Sequence, residues 1–218
     1  MKAGRHILDI SVKLNYFDMD SLTGKETSGT AGEKPRLAFN FDGLLPVGDY
    51  EMTLPEIRSS ILVTGPGGPK YEHWDSKWRA QLVDNLEIVV GQLTKRGVTE
   101  IFVDGSFVED KDHPNDIDGY FSCDPFRIIS GDLQRELNLL DPHKVWTWDP
   151  RDRRPYPGSP KKQLPMWHQY RVELYPHLPG LGSGIKDKYG HDLDFPSAFR
   201  QCRRTNKPRG IVKIGGCK

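Results

Sequence analysis

The chain has 218 residues, of which 36% are hydrophobic and 28% are charged, and its formal net charge is +1. This balance is typical of a globular protein with one substantial core, and it excludes a generally basic nucleic-acid coat, so any nucleic-acid surface has to be a local patch. Apolar runs are too short to span a membrane, residues 1–14 lack the apolar stretch of a signal peptide, and three widely spaced cysteines favour a reducing cytoplasm. We therefore expect a cytoplasmic protein with no membrane contact.

Alternating apolar and polar residues predict two N-terminal strands, over residues 5–17 and 36–41. Residues 18–35, rich in Ser, Thr, Gly and Lys, predict a loop between the two strands. We therefore predict an N-terminal β-hairpin extension over residues 1–42. One compact domain over residues 43–218 is expected to follow it.

Capping signals and apolar spacing predict three helices. Thr53, with Glu56 three residues later, has the spacing of a capping box and predicts the start of a short helix. The longest predicted helix spans residues 76–96, where large apolar residues recur at helical spacing, and Gly97 is expected to end it. A weaker pattern predicts a helix over residues 130–140.

The C-terminal third is expected to contain strands and long loops. Residues 149–165 are rich in Pro, Arg and Gly and predict a surface loop, whereas residues 166–178 and 210–214 predict strands. Together with strands on either side of residue 105, these elements predict an α/β (α+β) fold. Its mixed sheet would be packed by helices.

The most informative motif is a strand that ends in Gly105-Ser106, followed after nine residues by Asp116-Ile117-Asp118. Side chains alternate along a strand, so the two carboxylates would point the same way. Adjacent carboxylates repel each other unless a cation lies between them, and Mg²⁺ bound to substrate phosphates is a common occupant. The motif therefore predicts metal-assisted phosphoryl or nucleotidyl transfer, and a plain hairpin with solvated acids is the alternative.

This motif resembles the signature of the DNA polymerase β-like nucleotidyltransferase superfamily, in which a Gly-Ser or Gly-Gly turn precedes an Asp-x-Asp strand. The chain also looks like a group of bacterial nucleotidyltransferase-like proteins. The segments that carry this second resemblance are residues 43–50, 104–118 and 209–214. It implies a mixed sheet of nucleotidyltransferase type.

The resemblance also implies a site and a reaction. Gly105 and Ser106 would bind the triphosphate, and Asp116 and Asp118 would bind two Mg²⁺ ions, with Glu173 as a candidate third carboxylate. The implied reaction is Mg²⁺-dependent transfer of an NMP from an NTP such as ATP to an acceptor hydroxyl. The position of Glu173 relative to the two aspartates tests whether the acidic set is complete.

Two basic clusters are candidate anion-binding surfaces. One lies in the C-terminal run and includes Arg203 and Arg204, which we predict to bind the triphosphate or an RNA backbone. The other lies within residues 151–162, and the sequence leaves open whether the two form one surface. A solvated loop is the alternative for each.

The resemblance leaves the acceptor open among an RNA 3′ end, including that of tRNA, a protein side chain and a small molecule. Relatives of this kind are associated with toxin–antitoxin and phage-defence modules, which would add a cognate toxin or antitoxin as a partner. A competing hypothesis is a catalytically inactive nucleotidyltransferase-fold protein that acts as an antitoxin or as a protein-binding subunit.

Overall fold

The computed structural model describes residues 37–216, apart from the side chains of residues 159 and 160. This part of the chain is mixed α+β and contains seven α-helices and nine β-strands. The helices are α1 Leu54–Ser59, α2 Ile61–Thr64, α3 Ser76–Thr94, α4 Pro125–Ile129, α5 Asp132–Leu140, α6 Pro165–Tyr170 and α7 Phe195–Phe199. The strands are β1 Asp49–Met52, β2 Glu100–Asp104, β3 Ile117–Ser122, β4 Arg154–Tyr156, β5 Ser159–Gln163, β6 Val172–His177, β7 Ile185–Lys186, β8 Asp192–Leu193 and β9 Ile211–Ile214.

Five strands form one mixed sheet in the order β1-β9-β2-β3-β6. The two outer pairs, β1 with β9 and β3 with β6, are parallel, whereas β2 is antiparallel to both of its neighbours. Strands β4 and β5 form a separate hairpin, and β7 and β8 form another. The mixed sheet predicted from the sequence is confirmed at this level of detail.

The two faces of the sheet are covered by different helices. On one face, α3 buries Leu82, Leu86 and Val89 in the main core, which also contains alternate residues of the strands, such as Ile101. On the other face, Phe199 of α7 packs in a smaller cluster with aromatic residues of β2 and β3. Because side chains alternate along a strand, β2 contributes to both clusters. The acidic motif lies on the α7 face.

Several predicted element boundaries are confirmed by their local hydrogen bonds. Thr53 and Glu56 form a reciprocal capping box at the start of α1. Helix α3 begins at the predicted residue and ends at Thr94, two residues before the predicted end, and Gly97 follows with φ +75°, a conformation that glycine adopts without strain. The third predicted helix corresponds to α5, and the closing strand corresponds to β9.

One prediction for the C-terminal third is wrong and another is correct only in part. Residues 149–165 contain the β4–β5 hairpin instead of a continuous loop. Within the predicted strand over residues 166–178, the second half is confirmed as β6, whereas residues 166–170 belong to α6. Pro165 lies in the first turn of α6, where its fixed φ favours a helix, and Met166, Trp167 and Tyr170 form the buried side. Arg171, with φ 55°, ends the helix and directs the chain into β6.

The first strand of the predicted N-terminal hairpin lies outside the described residues. The described part of its second strand, residues 37–41, forms no strand. The side-chain oxygen of Asn40 accepts hydrogen bonds from the backbone N–H groups of Asp42 and Leu44, which favours a turn over strand pairing. Among the described residues, no helix is long and apolar enough to cross a membrane.

Candidate active site

Three carboxylates lie in one row across the sheet. In the antiparallel β2–β3 pair Asp104 lies opposite Asp118, and in the parallel β3–β6 pair Asp118 lies opposite Glu173. Residues paired in this way project from the same face. Glu173 therefore lies on the strand beside the acidic motif, as predicted for a third carboxylate. The row is on the α7 face, away from α3.

Asp118 carries unfavourable electrostatic interactions with its acidic neighbours. Burial, followed by the negative charges of Asp116 and Glu173, raises the pKa of Asp118 to about 7, although Arg203 and Arg209 oppose this shift. Within the described residues the Asp118 carboxylate has no hydrogen-bond donor. A carboxylate in this setting is stabilised either by a proton or by a bound cation.

Asp116 is held by a tryptophan. Its Oδ2 atom accepts a hydrogen bond of 2.6 Å from the indole Nε1 of Trp167 in α6. Burial raises the pKa of Asp116, whereas the Trp167 hydrogen bond and the positive charges of Lys111 and Lys161 lower it. Asp116 and Asp118 therefore form a close acidic pair in which only Asp116 accepts a hydrogen bond from the described part of the chain.

The Gly-Ser turn lies directly over Asp118. Gly105 has φ +76°, and a Cβ atom placed on it would lie 2.6 Å from Oδ2 of Asp118. Only glycine allows the backbone to adopt this conformation and to approach the carboxylate so closely. Ser106 follows in the same turn, and its hydroxyl has no hydrogen-bond partner among the described residues, which leaves it available to a ligand.

Replacing Gly105 with alanine is expected to destabilise the fold by about 2 kcal/mol more than replacing Gly97. Both glycines have nearly the same positive φ, +76° and +75°, but an added Cβ atom at Gly97 meets nothing within 4 Å. The difference between the two variants therefore isolates the contact with Asp118. Urea unfolding monitored by circular dichroism measures it, and equal losses in both variants would show that the turn can move away from the carboxylate.

A buried arginine holds the loop that follows the Gly-Ser turn. Arg79 of α3 is fully buried and donates hydrogen bonds to the carbonyl oxygens of Leu62, Phe107, Glu109 and Lys111, and its guanidinium also stacks over the ring of Trp74 at 3.8 Å. Burial lowers the pKa of Arg79 to about 9. These contacts fix residues 107–111 against α3 and so position the turn.

A second buried arginine links the turn to the sheet. Arg209 forms ion pairs with Asp104 and with Glu109, the latter at 2.5 Å. It also lies 3.4 Å from the carbonyl oxygen of Gly105. The exposed Arg204 pairs with the other oxygen of Glu109 at 2.6 Å. This network neutralises two acids beside Asp118, so the negative charge of the site is concentrated on the Asp116–Asp118 pair.

A cavity of about 650 Å³ brings the predicted site residues together. Its lining includes all seven of them: Gly105, Ser106, Asp116, Asp118, Glu173, Arg203 and Arg204. Arg203 is exposed and forms no ion pair or hydrogen bond with the described residues. Several further residues line the cavity, and three of them, Glu109, Lys111 and Tyr175, carry no signal in the sequence. The basic ones from residues 153–162 and Arg209 belong to the two predicted basic clusters, and Tyr156 is a sequence candidate for stacking on a base.

The two basic clusters converge in part on this cavity. Arg153, Lys161 and Lys162 reach it from the β4–β5 segment, and Arg203, Arg204 and Arg209 reach it from the C-terminal run. Other members of the clusters pair with acids through separate contacts: Arg151 with Asp149, Arg200 with Asp49, and Lys207 with Asp42. The cavity lining therefore contains seven basic and four acidic residues.

Glu173 is less available to a ligand than the two aspartates. Its Oε1 atom accepts the backbone N–H of Leu164 at 2.8 Å and lies 3.7 Å from the Arg153 guanidinium. Its Oε2 atom accepts a hydrogen bond from the hydroxyl of Tyr175. Across the described chain, no three His, Cys, Asp or Glu residues are arranged as a ready-made metal site.

The donor set of the Asp116–Asp118 pair nevertheless fits Mg²⁺. This ion is commonly bound by one or two carboxylates together with substrate phosphates and water, and it does not require an all-protein cage. Asp118 is a half-buried carboxylate without a hydrogen-bond donor from the described residues, and Asp116 has one oxygen held by Trp167. Both aspartates could therefore bind the ion, and Glu173 as a third ligand stays a prediction.

Residues 37–215 match the family of unknown function DUF6932, and the chain belongs to that family. Comparison with curated proteins and comparison with solved structures give no match. A functional assignment therefore depends on the geometry of the site itself.

Proposed function

We propose that this protein is a Mg²⁺-dependent nucleotidyltransferase that transfers an NMP from an NTP to an acceptor hydroxyl. The observation that carries this proposal is the convergence of all seven residues predicted from the sequence on a single cavity, where Asp118 lacks a hydrogen-bond donor from the described residues. The mixed sheet, with the acidic pair at one end of β3, supports a nucleotidyltransferase-type fold. The cavity volume lies within the usual range for a small-molecule site.

The charges around the cavity suit a triphosphate. Arg203 supplies an exposed guanidinium without an ion-pair partner among the described residues, and Lys111, Lys161 and Lys162 add further positive charge. Backbone groups of Gly105 and the hydroxyl of Ser106 can approach phosphate oxygens closely, because Gly105 has no side chain. Asp116 and Asp118 would contact the phosphates indirectly, through a cation that both the carboxylates and the phosphates bind.

Each of these residues has a role in the proposed reaction. Mg²⁺ bound by Asp116 and Asp118 would neutralise phosphate charge and activate the attacking oxygen. The turn at Gly105 and Ser106, together with Arg203, would hold the triphosphate in line with the acceptor. The acceptor oxygen forms a bond to the α-phosphorus as the bond to pyrophosphate breaks, and the proton of the hydroxyl passes to solvent.

The excess of basic residues in the cavity favours RNA over a protein side chain as the acceptor. Seven basic residues against four acidic ones exceed what the chain as a whole provides, since its net charge is only +1. Binding of phosphodiesters depends on such local positive charge. We therefore propose an RNA 3′ end as the first acceptor to test, with tRNA included, and a role in a toxin–antitoxin or defence module as its context.

The test is an incubation of the purified protein with each α-³²P-labelled NTP, Mg²⁺ and total bacterial RNA or lysate. We expect label to enter RNA, and we expect the Asp118→Asn variant to reduce this transfer by at least about 100-fold, because a lost metal ligand removes most of the charge stabilisation at the phosphorus. Glu87→Gln is the matched control. Glu87 is an exposed acid of α3 whose carboxylate lies 3.6 Å from the guanidinium of Arg58.

Label that enters a protein band would identify a protein acceptor while retaining the enzyme. Absence of transfer with every NTP, from a protein that is folded by circular dichroism, would contradict the proposal. It would favour a second candidate, a nucleotidyltransferase-fold binding subunit such as an antitoxin. The observation in favour of that candidate is Glu173, both of whose carboxylate oxygens already accept hydrogen bonds from the protein.

A further inference from the structure

We infer that Trp167 is a positioning residue for the metal ligand Asp116. This inference rests on the proposed function, because it takes Asp116 as a metal ligand. Asp116 precedes β3, so its side chain is not fixed by a neighbouring strand on each side. The indole Nε1 of Trp167 donates a hydrogen bond of 2.6 Å to Oδ2 of Asp116 and thereby selects one orientation of the carboxylate.

The indole ring of Trp167 is itself packed against two neighbouring side chains. Its side chain is 1% exposed. The guanidinium of Arg171 lies 3.8 Å from the ring centre, and the ring of Tyr156 lies 4.5 Å from it. A buried ring with these neighbours has little freedom to rotate, so its N–H group points to a fixed position. Asp116 consequently keeps its Oδ1 atom for a ligand in the cavity.

Trp167 also connects Asp116 to the β4–β5 hairpin, through its contact with Tyr156. Tyr156 belongs to β4, and the hairpin formed by β4 and β5 also carries Lys161 and Lys162 into the cavity lining. Through Tyr156 and Trp167, the hairpin that supplies positive charge contacts the residue that orients Asp116. Removal of the indole N–H is therefore expected to weaken metal binding, because it releases the Asp116 carboxylate.

A Trp167→Phe variant tests the inference because phenylalanine keeps an aromatic ring and removes only the N–H donor and part of the ring. We expect its affinity for Mn²⁺, measured without nucleotide by electron paramagnetic resonance, to fall about 10- to 100-fold, as is typical when a residue that orients a metal ligand is lost. In a double-mutant cycle with Asp116→Asn, the two effects should not add, because both act on the same carboxylate.

Trp74→Phe is the matched control. The indole Nε1 of Trp74 also donates a hydrogen bond, of 3.0 Å, but its acceptor is the backbone carbonyl oxygen of Val63. An arginine, Arg79, lies over its ring at 3.8 Å, the same distance as Arg171 from Trp167. Both variants therefore lose an indole donor beneath a guanidinium, and only Trp167 has a site carboxylate as its acceptor. Mn²⁺ affinity should be unchanged in Trp74→Phe.

A measurement on the unaltered protein avoids dependence on the stability of the variant. Mn²⁺ broadens nearby nuclear resonances steeply with proximity, so the indole N–H resonance of Trp167 should broaden at lower Mn²⁺ concentration than those of the other four tryptophans. Equal broadening of all five, or equal Mn²⁺ affinity in Trp167→Phe and wild type, would overturn the inference alone. A wild-type protein that binds no Mn²⁺ would overturn the proposed function as well.

Discussion

Asp118→Asn is expected to make the protein more stable at pH 8 by about 2 kcal/mol while it removes nucleotidyl transfer. The pKa of Asp118 is raised from 3.8 to about 7 by burial and by the charges of Asp116 and Glu173. A shift of this size corresponds to about 4 kcal/mol at 1.36 kcal/mol per pH unit, and we halve it because the side chain keeps partial contact with solvent. Asparagine has the same shape and cannot ionise.

The sign of the pH dependence follows from proton linkage. Between about pH 4 and pH 7 the native protein keeps a proton on Asp118 that the unfolded chain has already lost, so the stability of the wild type falls as the pH rises. The destabilisation caused by the ionised Asp118 carboxylate is absent below about pH 4 and complete above about pH 7. Urea midpoints of wild type and Asp118→Asn should therefore converge at pH 4 and differ at pH 8.

Adding a divalent cation at pH 8 should reverse the order of stability of wild type and Asp118→Asn. At pH 8, Mg²⁺ bound between Asp116 and Asp118 would stabilise the native state in proportion to its occupancy, and Asp118→Asn should gain much less. Glu87→Gln, which removes an exposed acid, should follow the wild type at both pH values. If Asp118→Asn is less stable than wild type at pH 8 without Mg²⁺, the acidic pair is not under electrostatic strain.

Local signals made much of the fold predictable. The capping box of Thr53 and Glu56, the apolar spacing of α3 and the glycine at position 97 each act within a few residues, so the sequence alone determines them. The hairpin β4–β5 was missed because prolines and arginines usually indicate a loop. Helix α6 was missed because it is only six residues long, and so short a segment with large aromatic residues suits a strand equally well.

The candidate site was predictable where its residues are close in sequence. Gly105 and Asp118 are close in sequence, and the antiparallel pairing of β2 with β3 places the turn over the acid. The partners that complete the site come from distant segments: Arg79 of α3, Trp167 of α6 and Arg209 near the C-terminus. An arginine on an amphipathic helix, or a tryptophan two residues after a proline, carries no local sign that it will contact a carboxylate or a turn.

Arg209→Met is expected to destabilise the protein by about 3–5 kcal/mol, a large fraction of the stability of a typical domain. Arg209 is 5% exposed and neutralises Asp104, which is 0% exposed, and Glu109, which is 7% exposed. Burial raises the pKa of Asp104 well above its usual value, and the positive charge of Arg209 opposes that rise. Oδ1 of Asp104 already lacks a hydrogen-bond partner among the described residues, so no neighbour there replaces the lost guanidinium.

The matched control for this prediction is Arg204→Met. Arg204 also pairs with Glu109, but its side chain is 72% exposed, so water replaces much of its contribution and a loss below about 1 kcal/mol is expected. Adding Asp104→Asn to Arg209→Met should recover part of the loss, because the buried charge is then removed together with its partner. Urea unfolding at pH 7 measures all three variants. Similar losses in the free energy of unfolding for Arg204→Met and Arg209→Met would mean that the ion pairs of Arg209 are as hydrated as those at the surface. The acidic pair would then lack the dry surroundings that raise the pKa of Asp118.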